Sequence, residues 1–167
     1  MGTTRADVSP VIDAQRASLV CIGNQIDRQA SSAGTGYNVP LTYTAETEAF
    51  GGSSLAKHTT SVQTLAESAV GLKILLAALR PSAADFDLYY RVARDGTDIF
   101  QEDWILQSRE TTVAPDGENF REYRYLVGKQ NGDIAPFTEY QLKIVMTSTN
   151  SSQVPIFKDL RVIAMAV

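Results

Sequence analysis

Between Asp85 and Arg94 the chain alternates. Phe86, Leu88, Tyr90 and Val92 interleave with Asp85, Asp87, Tyr89 and Arg91. A period of two puts the first set on one face of an extended strand and the second on the other, a pattern no helix can sort. Asp95-Gly96-Thr97-Asp98 follows with turn chemistry, Gly96 being free to take a positive φ. The same grammar runs through the rest of the chain. Ile99 to Leu106 predicts a short strand around Trp104, and Pro115-Asp116-Gly117 predicts a turn. Phe120 to Val127 is again aromatic and branched, and Asn131-Gly132-Asp133 supplies another turn. Tyr140, Leu142, Ile144 and Met146 then alternate with Gln141, Lys143, Val145 and Thr147; Asn150-Ser151-Ser152 turns the chain, and Leu160 to Val167 closes it as β-structure.

One stretch fits two periods. Leu72, Leu75, Leu76 and Leu79 share a helical face, whereas Leu72, Ile74, Leu76 and Ala78 share a strand face. Gly71 near its start, Arg80-Pro81 at its end and the surrounding strands favour a strand covered on both sides. Short strands at regular spacing predict an all-β fold, an antiparallel β-sandwich of jelly-roll-like form over residues 61–167. Its expected core is Leu72, Ile74, Leu76, Phe86, Leu88, Tyr90, Tyr125, Leu142, Ile144 and Ile163.

Residues 1–60 differ in character. Ser31-Ser32-Ala33-Gly34-Thr35-Gly36 and Gly51-Gly52-Ser53-Ser54 are small and polar, punctuated by short apolar patches at Val11-Ile12, Leu19 to Ile22 and Val39-Pro40-Leu41. Such a segment buries too little apolar surface to fold alone. It is expected to be an extended arm whose patches Val11, Ile12, Val39 and Leu41 dock on a partner's surface.

The charge balance and the rare residues remove whole classes of function. Fifteen Lys and Arg against 19 Asp and Glu leave a net charge of −4, which supplies no basic footprint for nucleic acid or an anionic membrane. The apolar runs are too short to span a bilayer, and the N-terminus lacks the pattern of a signal peptide. One Cys and one His allow neither an intrachain disulfide nor a Cys/His zinc site. Cys21 sits in an apolar run and is expected to act as a small hydrophobe. No cofactor is expected.

No catalytic set emerges either. Asp85 and Asp87 fall on one open strand face, which gives no means of separating their pKa values. Asp95, Asp98, Glu102 and Asp103 lack the spacing of an EF-hand loop and fit a polar turn. Gly34-Thr35-Gly36 and Gly51-Gly52 do not lie between a strand and a helix as phosphate cradles do. His58, in Ala56-Lys57-His58-Thr59-Thr60, is expected at the surface. The crowded aromatics Tyr89, Tyr90, Trp104, Phe120, Tyr123, Tyr125, Phe137 and Tyr140 are expected mainly to fill the core. Tyr90 and Tyr125 would point inward, leaving Tyr89 and Tyr123 outward. With Trp104, those two are the platform a glycan-binding module would need, since aromatic faces stack on sugar rings.

The run from Phe137 to Val167 resembles the endings of virion structural proteins of T4-like and marine tailed phages. Asp85-Phe-Asp-Leu-Tyr-Tyr-Arg91, Gly51-Gly-Ser-Ser-Leu-Ala-Lys-His-Thr-Thr60 and Ser9-Pro-Val-Ile-Asp13 resemble the same group. In that group such a region often lies within a longer polypeptide. The resemblance implies a tail or baseplate subunit located in the virion and made in the host cytoplasm. It further implies a homo-oligomer in the particle and an arm threading along other virion proteins. The alternative is a lectin-like module for host-surface glycans.

Overall fold

The computed structural model describes residues 8–13, 18–23, 26, 44–128, 134–150 and 152–166. Nearly all of the regular structure is antiparallel β. Strands β1 (Val8–Asp13) and β2 (Ser18–Gly23) form a hairpin of their own, with Val11 opposite Val20 and Ile12 opposite Leu19. The body is a seven-stranded sheet of β3 (Lys57–Thr59), β4 (Gln63–Arg80), β5 (Ala84–Ala93), β6 (Ile105–Gln107), β7 (Asp116–Val127), β8 (Phe137–Ser148) and β9 (Ile156–Ala166).

The stretch that fits two periods is strand β4, and it organises the sheet. Its first residues pair with β8, Gln63 opposite Tyr140. Its later residues have β7 on one edge and β9 on the other, so that Ile74 lies opposite both Tyr125 and Val162. Between Thr64 and Ala69 five steps along β4 match two along β8. That excess bends the strand. The sheet folds over at this corner into a curled half-barrel, with β6-β5-β8 on one side and β7-β4-β9 on the other. Gly71 lies just past the corner, where a Cβ would come within 2.6 Å of the Val127 carbonyl and the Met165 Cε. Only glycine fits this approach of β7 to β4.

The concave side holds the core. Leu72, Ile74, Leu76 and Ala78 from β4 meet Phe86, Leu88 and Tyr90 from β5, Tyr123, Tyr125 and Val127 from β7, and Phe137, Leu142 and Ile144 from β8. Phe86 makes edge-on ring contacts with Tyr123 at 4.9 Å and Phe157 at 4.8 Å, an arrangement that aligns ring edges with ring faces. Nine of the ten expected core residues are buried here. Ile163 is the exception, 53% exposed. Both parities of β9 are apolar, so its alternation names no inward face; the pairing of Ile74 with Val162 turns Leu160, Val162 and Ala164 inward and Ile163 out.

Three further expectations change. Ile99 to Leu106 is not one strand: Asp98 accepts the Phe100 N–H at 2.9 Å and caps a short 3-10 turn over Ile99–Gln101, and only Ile105–Gln107 pairs with β5. Tyr89 and Tyr123 are not exposed, at 7% and 1%: Tyr123 points into the core, and Tyr89 lies on the outer face but is covered there with Trp104 and Val145. Nor does a boundary fall at residue 60. β3 pairs with β8, His58 opposite Ile144, and Thr60 continues that pairing by donating its N–H to the Leu142 carbonyl at 2.9 Å. Residues 44–60 therefore lie on the body and cover the outer face of β8, where Lys143 and Val145 are as buried as the core. The Asn131-Gly132-Asp133 turn lies outside the described residues.

A chain beginning at Ser61 would lose β3 and uncover that face. Its thermal midpoint, followed by circular dichroism, should fall at least about 10 °C below that of the full chain, the effect of losing several kcal/mol of burial. An unchanged midpoint would restore the boundary at residue 60.

Candidate functional site

Two charged clusters are built where loops meet the sheet. The first lies under residues 44–60. Lys143 points outward from β8, yet only 2% of its side chain is exposed. Its ammonium donates to the Glu46 carbonyl at 2.6 Å and stands 3.1 Å from the Glu46 carboxylate Oε2, itself buried. Glu46 Oε1 accepts the Ser54 N–H at 2.6 Å, and Lys57 lies 3.8 Å from Oε2. Oε2 has no directed hydrogen bond, so proximity to two ammonium groups is what compensates its burial. Gly52 sits against this carboxylate with φ +98°, and any Cβ there would overlap it. Burial pulls the Lys143 ammonium below its ordinary range, and Glu46 opposes the fall.

Trp104 belongs to the same cluster. The Arg91 guanidinium lies 4.3 Å and the Lys143 ammonium 4.6 Å from its ring centroid, placing the cations where the ring's electron-rich face attracts them. Arg91 also donates through Nε and Nη2 to Gln141 Oε1 at 2.9 and 2.6 Å. The Trp104 backbone N–H donates to the Thr47 carbonyl at 2.8 Å, and Asp103 accepts the Ala49 N–H at 3.2 Å. The Trp104 backbone and Asp103 thus tie the 99–104 turn to the 44–60 segment, while the indole face is taken by Arg91 and Lys143.

The second cluster closes the seam between β5 and β7. Arg109 reaches in from the segment after β6, ion-paired to Asp85, donating to the Phe86 carbonyl at 2.6 Å and lying over the rings of Phe86 and Tyr123. Arg80 completes the clasp from β4, 3.4 Å from Asp85, bonded to the Tyr123 hydroxyl at 3.1 Å and to the Val113 carbonyl at 2.6 Å. A cleft of about 340 Å³ beside them is lined by Asp85, Asp87, Arg109, Thr111, Thr112 and Tyr125. Burial raises the Asp87 carboxyl above its ordinary range, Asp85 adds to the rise and Arg109 opposes it. Burial pushes the Tyr125 phenol up to about 12 while Arg109 beside it opposes the rise, and its hydroxyl makes no well-directed hydrogen bond.

This geometry accounts for the residues singled out in the sequence. Asp85 and Asp87 share one face as their parity requires, Asp87 lining the cleft and Asp85 held by two arginines. Asp98 and Asp103 cap and tether backbone. Among the described residues no group of three or more His, Cys, Asp or Glu side chains is placed to hold a metal ion, and no helix is long and apolar enough to cross a membrane. His58 is exposed on β3. Val11 and Ile12 lie in β1 and Cys21 in β2; Val39 and Leu41 lie outside the described residues. The glycan platform does not form. Tyr89, Trp104 and Tyr123 are all buried, Trp104 at 4% exposure, because cations occupy the ring faces a sugar would need. Alternation missed Arg80, Arg91 and Lys143 as buried cations. A cation inside a strand of otherwise apolar character was the available signal.

Comparisons with models of known protein families, with curated proteins and with solved structures find no match to this chain.

Replacing Glu46 by Gln should destabilise the protein by about 3–5 kcal/mol in urea unfolding, since it leaves the Lys143 charge buried without its counter-charge. Lys143→Met should cost a similar amount by stranding Glu46. Tyr125→Phe should be close to neutral at pH 7, because it deletes a buried hydroxyl that makes no well-directed hydrogen bond. The Tyr125 phenol titrates higher in the folded than in the unfolded chain. Its contribution is therefore complete below pH 10 and lost as pH rises through about 12. The variant should flatten the fall of stability in that window.

Proposed function

We propose that the chain is a structural component of a tailed-phage virion, in the tail or baseplate, which joins neighbouring subunits through sheet surfaces and an N-terminal arm. The observation that carries this reading is what the fold leaves outside. The charged clusters and most of the aromatic rings are engaged in holding strands and loops together. Large apolar side chains stay exposed, among them Phe50 at 78%, Leu55 at 53%, Phe100 at 53%, Leu106 at 50% and Ile156 at 51%. On this reading these side chains are covered by neighbouring subunits in use. The patches Val11-Ile12 and Val39-Leu41 would dock the arm on neighbours, each large side chain contributing about 1.5–3 kcal/mol before ordering costs. The half-barrel would serve as a jelly-roll-like body, and the assignment to a virion rests on the sequence resemblance. Catalysis forms no part of the proposal: Asp85 is neutralised by Arg80 and Arg109, and His58 has no hydroxyl hydrogen-bonded to it among the described residues. The glycan-binding alternative is without the aromatic platform on which it depended.

Mass spectrometry of gradient-purified particles from a phage encoding the chain tests the assignment. The chain should co-sediment with intact tails at a fixed copy number per particle. Its recovery only from the soluble fraction of the lysate would overturn the proposal.

A further inference from the structure

The convex face of β7-β4-β9 is the surface with the most specific chemistry. Register places Lys73, Leu75, Ala77 and Leu79 along β4 on this face. Leu126, Arg124 and Glu122 flank them on β7, and Ile163, Arg161, Lys158 and Ile156 flank them on β9. Four cations thus stand against one carboxylate, a local +3 on a chain whose total is −4. Asp159, at the β9 irregularity, and Glu110, whose backbone N–H bonds the Arg124 carbonyl at the β7 edge, lower this to +1. Glu122 is already shared between Arg124 at 2.8 Å and Arg161 at 3.3 Å. Lys158 rests over the Phe120 ring at 4.2 Å, and Lys73 has no ion pair among the described residues. Between these charges run the half-buried Leu75, Leu79 and Leu126 and the exposed Ile156 and Ile163. An apolar floor bordered by cations calls for an apolar ligand bordered by acids.

Shape narrows the partner further. Three strands about 4.8 Å apart make a face about 10 Å across, the diameter of one α-helix. Lys73 to Leu79 extends about 20 Å, which a helix of about 13 residues would cover. The rim of β9 is not open to strand addition: the register breaks opposite Leu76, where Asp159 takes φ 53°, and Lys158 and Arg161 stand on either side. An irregularity with flanking charge discourages edge pairing. A second copy of the chain would bring cations against cations. Nucleic acid would find Leu and Ile where bases need rings, and the Phe120 ring is already covered.

We propose that this face is the docking site for an acidic amphipathic helix of another protein, its leucine stripe on Leu75, Leu79, Ile156 and Ile163 and its carboxylates on Lys73, Arg124, Lys158 and Arg161. The inference deepens the structural reading by giving the chemistry of one neighbour.

Fluorescence anisotropy on the full chain tests it with a labelled helical peptide of about 18 residues carrying a leucine stripe flanked by glutamates. The lysine-flanked version, a dT oligonucleotide and anionic lipid vesicles serve as competitors. The glutamate peptide should bind at least about tenfold more tightly than the lysine peptide, and added salt should weaken it. Arg161→Glu should weaken binding at least about tenfold, whereas Arg94→Glu, the same charge change off this face, should not. Lys73→Glu repeats the test should Arg161→Glu fail to fold. Equal affinity for both peptides, equal behaviour of the 161 and 94 variants, or preference for the oligonucleotide or vesicles would overturn the proposal. So would a dimer in sedimentation that Ile163→Asp dissolves. A chain found in purified particles but indifferent to the peptides would sink only the helix partner and leave the virion assignment standing.

Discussion

Strand β4 spans 18 residues, and none of its partners is longer than 12. Its edges must therefore be shared. β8 takes the first part, β7 and β9 take the rest, and the irregularity between Thr64 and Ala69 bends the strand so that the partners can lie on different sides of one core. A backbone polar group left unpaired inside a core costs as much as a lost hydrogen bond, so each stretch of this strand needs a partner wherever it is buried. The curl of the sheet and the closeness of β4 to β7 at Gly71 follow from that requirement.

Closing the half-barrel leaves two problems, and each is solved with charge. The outer side of β8 carries Lys143 and Gln141, too polar to abut an apolar layer and too central to reach water. The 44–60 segment answers with a carboxylate, two ammonium-facing carbonyls and a turn at Gly52 that only glycine can make. At the seam between β5 and β7, Arg109 and Arg80 supply donors to carbonyls and to Asp85, and the flat guanidinium of Arg109 lies over the Phe86 and Tyr123 rings. Arginine suits this position because its planar, delocalised charge both stacks and bonds. The buried Lys143–Glu46 pair adds little net stability but is costly to break, so it fixes where the 44–60 segment sits.

That division leaves the convex face of β7-β4-β9 with a different character from the rest of the molecule. The core takes the aromatic rings, the clusters take most of the partnered charge, and this face keeps apolar side chains ringed by cations. The structural role proposed for the chain needs such a surface, rigidly presented by a sheet whose other side is the core itself.

Period-two alternation was enough to establish the inward faces of β5 and β8, because a buried side writes its parity into the chain, whereas β4, which fits two periods, was read as strand from Gly71, Arg80-Pro81 and its strand-rich surroundings. The rarity of Cys and His likewise removed zinc sites before any fold was known. Three things were decided only by tertiary contact. β9 is apolar on both parities, so its pairing with β4, not its own pattern, turned Ile163 outward. Tyr89, Trp104 and Tyr123 read as a stacking platform because nothing local says that Arg91 and Lys143 will cover the Trp104 ring, Lys143 that of Tyr89 and Arg109 that of Tyr123. Residues 44–60 read as arm because small polar residues cannot fold alone. They are ordered by pairing that a chain acquires only once β8, more than eighty residues further on, has provided an edge for Lys57–Thr59 and a buried cation for Glu46.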